Sequence, residues 1–142
     1  MRWMGLDVGE RRIGVALSDP LEITAQSYTL RVRESLEKDI RFFVQLIKDH
    51  EVEGIVVGLP INMNGTHGPM AEKVTVFGKE LENASGVGVA FWDERLSTAS
   101  AERVLIEADL SRSKRRQKID QLAASIILQN FLDNRSRMNS HL

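Results

Sequence analysis

Four acidic residues stand where strand or helix geometry would carry a carboxylate to the edge of a sheet: Asp7, Asp93, Glu94 and Asp120. Asp7 sits in the opening run of 18 residues, two residues before the turn Gly9-Glu10-Arg11 and between Gly5 and Gly9. Alternation puts Met4, Leu6 and Val8 on one face and Trp3, Gly5, Asp7 and Gly9 on the other. Glycine weakens a strand unless something must approach the backbone closely, and here that something is a metal ion or a phosphate. The plainer alternative is that Asp7 ends the strand and bonds to the turn. Asp93-Glu94 closes a second apolar run, and alternation does not choose between the two. Asp120 lies one position off the apolar stripe of the last helix, in line with Ala124 and Ile127. A carboxylate there is costly unless a cation compensates it, either Arg95, Arg115 or Arg116 in a salt bridge or a metal. Oxygen-only ligand sets suit Mg²⁺ or Mn²⁺. Two such ions can activate water and stabilise the leaving oxygen in phosphodiester hydrolysis.

The elements that would bring these acids together follow from periodicity. The opening run reads as a hairpin, with its second strand ending at Asp19-Pro20 and a third strand over 24–31, an antiparallel meander. Ser35 suits the N-cap of a helix over 36–50, with Leu36, Ile40, Phe43 and Ile47 inward and Lys38, Asp39, Arg41, Gln45 and Lys48 outward. The apolar run 54–59 has the pattern of a strand covered on both faces. Pro69 opens a helix with Met70, Val74, Phe77 and Leu81 inward. A strand over 87–92 follows. Ser97 or Thr98 then caps a helix carrying Ala101, Val104, Leu105 and Ala108, and after a polar break at 111–113 a last helix runs to about 133, with Ile119, Leu122, Ala123, Ile126 and Ile127 inward. The tail 134–142 is polar and expected to fray. The order β-β-β-α-β-α-β-α-α predicts an α/β fold, one mixed five-stranded sheet with helices on both faces. Parallel strands in it would end along one edge, where open α/β sheets place their sites.

Bulk properties narrow the function. At 142 residues the chain is expected to form one domain, without a membrane span or secretory leader. It has no cysteine, which excludes disulfides and thiolate metal sites and fits the cytoplasm. A net charge of −1 leaves no general basic field for nucleic acid, so binding must use a local patch or metal ions bridging carboxylates to phosphate. The densest basic run, Arg112, Lys114, Arg115, Arg116 and Lys118, precedes Asp120. It reads either as a solvated helix end or as a grip on a phosphate backbone. Arg95 is placed to hold Asp93 or a phosphate, and Arg11 and Arg12 are candidates of the same kind. The loop Asn62, Asn64, Gly65, Thr66 and His67 is either a mobile substrate flap or a connector with Asx turns. Without cysteine or a second histidine near His67, zinc is not expected. Trp3 and Trp92 read as core anchors.

Four motifs, taken together, resemble the YqgF (RuvX) family: Gly5-Leu-Asp7-Val-Gly9 through Arg12-Ile-Gly14-Val-Ala16 to Ser18-Asp19; Val57-Gly58-Leu59-Pro60 with Asn62-Met63-Asn64-Gly65; Asp93-Glu94-Arg95-Leu96-Ser97-Thr98; and Ile119-Asp120 with Ala123-Ala124 and Ile127-Leu128-Gln129. They occur in order over nearly the whole chain. The resemblance implies an RNase H-like fold and a nuclease related to Holliday junction resolvases, maturing the precursor of small-subunit ribosomal RNA or cleaving branched DNA. It implies that Asp7, Glu94 and Asp120 are the metal-binding catalytic acids, with Asp93 the alternative to Glu94. In resolvase relatives an acid also closes the strand that here ends in Gly58-Leu59-Pro60, and this chain has none there. Paired cleavage of branched DNA would favour a homodimer, though no stretch announces an interface. Two other functions compete. Asp-x-Gly at a first hairpin also resembles the phosphate loop of actin-like ATPases and sugar kinases, which need a second domain with its own such loop. A nucleic-acid-binding module without catalysis would instead have its acids paired with arginines.

Overall fold

The computed structural model describes residues 1–96 and 112–140, with the backbone alone for 96, 112–121 and 137–140. The helix expected after Ser97 or Thr98 lies outside the described residues. The hairpin forms as the alternation requires: β1 (Arg2–Val8) pairs antiparallel with β2 (Arg12–Ser18), and Gly9 N–H donates to Arg12 O at 2.8 Å to close the turn. β3 (Ala25–Val32) completes the meander. Two crossovers then bring β4 (Val52–Leu59) and β5 (Val89–Asp93) in parallel beside β1, giving the order β3-β2-β1-β4-β5. The mixed five-stranded sheet is thus as expected.

The connecting helices α1 (Leu36–Asp49) and α2 (Pro69–Ser85) cover one face. Ser35 caps α1 by accepting from Lys38 N–H at 3.1 Å, and Pro69 opens α2 where no N–H is needed. Their inner residues Phe43, Leu46, Ile47, Val74, Phe77 and Leu81 pack on Met4, Leu6, Val8, Ile55 and Val57. The other face carries α3 (Arg112–Ser140), whose Ala124, Ile127, Leu128 and Leu132 bury Trp3, Ala16 and Val56. Both tryptophans belong to this second core, Trp92 at its border.

Four expectations need correction. Asp39 is not on the outer face of α1: it is fully buried, because Arg31 (3.4 Å), Arg33 (3.2 Å) and the Glu34 N–H (3.0 Å) compensate its charge. Leu36, expected inward, is exposed, and Leu46 takes part in the core instead. On α3 the buried stripe is rotated by one residue, onto Ala124, Ile127, Leu128 and Leu132, with Leu122, Ala123 and Ile126 only half-buried. The helix also continues to Ser140 rather than ending near 133. Arg135, in the supposed tail, lies over the Trp3 ring at 4.8 Å and pairs with Glu22 at 3.5 Å, so the extra turns have something to pack on.

Close approach of α3 to the sheet depends on Gly5. A Cβ there would lie 2.7 Å from Leu128 Cβ and 3.0 Å from the Ala124 carbonyl oxygen. Any larger residue would push the helix off β1.

Candidate active site

Asp7 is the penultimate residue of β1, on the α3 side of the sheet with Trp3 and Gly5, and pairs with Gly14 of β2. Gly58 follows the β4 residue paired with Leu6, and is itself paired with Trp92 of β5. The strand β5 ends at Asp93, and Glu94 begins a short 3₁₀ turn, Glu94–Leu96. Strands two apart in a sheet are separated by roughly 9–10 Å, too far for carboxylates to touch without a reach-over. Gly58 makes the reach possible: a Cβ on it would lie 2.7 Å from Glu94 Oε1 and 2.8 Å from Glu94 Cγ. The Glu94 side chain crosses the bare backbone of β4 and shares a hydrogen bond with Asp7. Burial, the hydrogen bond with Asp7, and the negative charges of Asp7 and Asp93 push the Glu94 carboxyl up to about 9.

Asp93 and Glu94, which alternation could not separate, have opposite surroundings. Asp93 is gripped by Arg95, whose Nη2 donates to Oδ2 at 2.7 Å and Nε to both oxygens at 2.9 and 3.1 Å. The Arg95 hydrogen bonds hold its carboxyl below the ordinary value. Of the roles open to Arg95, the structure shows the grip on Asp93. Its Nη1 also reaches the Asn62 carbonyl at 3.4 Å, joining the β4–α2 loop to the site.

That loop is internally bonded. Gly65 N–H donates to Asn62 O (2.8 Å), Asn62 N–H to Thr66 O (3.0 Å), and the Thr66 hydroxyl and N–H to Asn64 Oδ1 (2.6 and 3.1 Å). Gly65 takes φ of +85°, which the turn demands. The Asx turn is therefore present, and His67 pairs with Ile61 across a small antiparallel bridge. On the other side of Asp7, a cleft of about 260 Å³ is lined by Asp7, Gly9, Glu10, Arg11, Arg12 and Gly14.

The described part of the site is thus a pair of carboxylates, Asp7 and Glu94. Among the described residues no group of three or more His, Asp or Glu side chains is set to hold a metal ion. The side chains of Asp120, Lys114, Arg115 and Arg116 lie outside the described residues. Position 120 itself is on α3, one turn before Ala124 and two before Ile127.

The sheet order β3-β2-β1-β4-β5 with helices on both faces is an RNase H-like fold, the fold of solved Holliday junction resolvases. The chain aligns with the Holliday junction resolvase RuvC of T. thermophilus, solved in complex with its junction substrate, at a TM-score of 0.63 and 15% identity over 96% of each chain. It aligns with the fowlpox virus Holliday junction resolvase at 0.56 and 15% identity, over 94% of this chain and 99% of that one. The chain belongs to the RuvX family: the family's sequence model, described as Holliday junction resolvase, matches residues 1–134. Relatives called "Putative pre-16S rRNA nuclease" include one from Moorella thermoacetica, 56% identical over 94% of this chain and 95% of its own. Another, from Syntrophomonas wolfei, is 53% identical over 96% of each. Among the described residues, no helix is long and apolar enough to cross a membrane.

Proposed function

We propose that this chain hydrolyses phosphodiester bonds in the cytoplasm, maturing the precursor of small-subunit ribosomal RNA, with Asp7, Glu94 and Asp120 as its acids and Mg²⁺ or Mn²⁺ as cofactor. The observation that carries the reading is the meeting of Asp7 and Glu94 over Gly58. Two half-buried carboxylates that share a hydrogen bond, with the charge of Asp7 raising the Glu94 carboxyl, are an arrangement that a hard divalent ion would relieve. The donor set fits such an ion. When bound, the metal would supply a water of lowered pKa and charge stabilisation for the leaving oxygen.

Asp7 and Glu94 would be the protein ligands that face it, and Asp7, on a strand hydrogen-bonded on both sides, gives the more rigid of the two. Support for Asp120 as a third ligand comes from the run of contacts along α3. Phe131 and Arg135 pack on Trp3, while Ala124 and Leu128 lie against Gly5. Moving up β1 thus moves back along α3, and the same step from Gly5 to Asp7 leads toward position 120. Asp93, already occupied by Arg95, is the weaker candidate for a ligand. Its pair instead steadies the 3₁₀ turn that carries Glu94. Arg11 and Arg12 beside the cleft, Asn64, Arg95, and the basic run Lys114, Arg115 and Arg116 would contact the nucleic acid, mostly through phosphates.

The test is a cleavage assay on ribosomal RNA precursor, linear RNA and a four-way DNA junction, with and without Mg²⁺ or Mn²⁺. Metal-dependent cleavage of the precursor is expected, lost in Asp7→Asn, Glu94→Gln and Asp120→Asn while circular dichroism stays unchanged. Cleavage that persists in EDTA, or in those variants, overturns the reading. Junction resolution is the second reading, favoured by the family's resolvase description. It would require a homodimer, and preference for the junction over the precursor would select it.

A further inference from the structure

We infer that Arg33, oriented by the buried carboxylate of Asp39, presets the Gly9–Arg12 turn as a docking corner for a phosphodiester backbone. The inference rests on the nuclease reading above. It begins with an expensive choice in α1. Asp39 is fully buried within a helix whose other buried side chains are apolar. Apolar residues of similar size commonly serve cohesion as well as a buried ion pair does, so the ionic geometry itself needs a use. Arg33 shows one. Its Nε donates to Asp39 Oδ2 at 3.2 Å, its Nη1 to Gly9 O at 3.0 Å, and its own N–H to Arg11 O at 2.8 Å. One residue therefore grips the hairpin turn at two carbonyls, on either side of Glu10. A planar guanidinium can serve the carboxylate and Gly9 together, as an ammonium cannot. The Phe77 ring, 5.6 Å away, closes its inner side.

What the turn carries makes this more than a structural staple. Arg11, which is exposed, and Arg12 line the same cleft as Asp7. Phosphate contacts set the register of a nucleic acid on its enzyme. Fixing the backbone that bears them removes part of the ordering cost of binding. Arg33 and Asp39 are then positioning residues, acting on substrate through Arg11 and Arg12 and at a distance from the two acids.

Arg33→Lys tests this with three readouts: hydrogen exchange of the Gly9 amide, affinity for a labelled RNA oligonucleotide by anisotropy, and kcat against KM. The Gly9 amide should exchange faster, affinity should fall roughly ten-fold, as for one side chain left to be ordered on binding, and KM should rise with kcat little changed. In an Arg11→Ala/Arg12→Ala background the same substitution should alter affinity by less than about two-fold, because the pathway is already broken. Asp39→Asn, which removes the orienting charge, should reproduce this pattern. Unchanged Gly9 exchange in both variants overturns the inference alone. So does an equal loss of affinity in the double-alanine background, or a fall in kcat with KM unmoved. Faster Gly9 exchange in a protein whose wild type binds no oligonucleotide at low salt overturns the nuclease reading, and the docking corner with it.

Discussion

Two groups of charge, one fully buried and one half-buried, lie on opposite sides of the sheet and are built on opposite plans. On the α1 side, one carboxylate, Asp39, is surrounded by two guanidiniums and a backbone N–H. On the α3 side, two carboxylates, Asp7 and Glu94, are pressed against each other. The first surrounds its anion with cations, and through Arg33 it holds the Gly9–Arg12 turn. The second brings like groups together, and burial with the neighbouring Asp7 pushes the Glu94 carboxyl up. Burial of a charged residue alone does not distinguish structure from chemistry. The sign of its neighbours separates a charge that orients backbone from a pair of like groups brought together.

If that contrast is right, removing a carboxylate should have opposite consequences on the two sides. Asp39→Ala leaves Arg31 and Arg33 without their shared anion, and should destabilise the protein by about 3 kcal/mol, read as a lowered urea midpoint. Glu94→Gln should leave the metal-free protein at least as stable as wild type at pH 8, while abolishing cleavage. A Glu94→Gln protein clearly less stable than wild type at that pH would erase the distinction.

Gly58→Ala probes the reach-over. Its Cβ would meet Ile127 Cδ1 at 2.5 Å as well as Glu94. Overpacking of this kind typically costs about 1–3 kcal/mol. Activity should suffer more than stability, because Glu94 Oε1, 2.7 Å from that Cβ, must give way along with Ile127. Cleavage at the wild-type rate would place Glu94 outside the reaction.

The pH dependence sharpens the comparison further. The Glu94 carboxyl lies at about 9 in the folded chain against an ordinary 4.5. Between those values the folded state binds more protons than the unfolded one, so metal-free stability should fall as pH rises through that interval, with the full penalty above it. Thermal melts of wild type and Glu94→Gln from pH 5 to 9 check this: the wild-type decline should be the steeper. The smallest effect belongs to the half-exposed Arg135–Glu22 pair. Arg135→Ala should lower stability by about 1 kcal/mol through the lost contact with Trp3 and that ion pair, with cleavage unchanged.

Much of this was readable from residue order. The hairpin, the strand alternation that puts Asp7 with Trp3 and Gly5, the apolar run of β4 and the N-cap at Ser35 all follow from local chemistry, and the mixed sheet with helices on both faces follows from the element order. What could not be read has specific causes. Asp93 and Glu94 were inseparable because β5 ends between them, and the two-residue period stops where the 3₁₀ turn begins. Asp39 looked solvent-facing because its partners come from β3 and the segment after it, which helical periodicity does not see. The α3 stripe was misjudged by one residue because its centre is apolar nearly all round, so Ala123 and Ala124 compete for the same role. Gly58 was visible only as a missing acid. Its value depends on a side chain 36 positions further along the chain.

The bare backbone at position 58 also constrains how this lineage can change. Any side chain at that position would occupy the space that Glu94 now crosses. An acid placed there would compete with Glu94 for the same opening beside Asp7. Single-step libraries at Gly58 or Glu94 should therefore return only inactive variants.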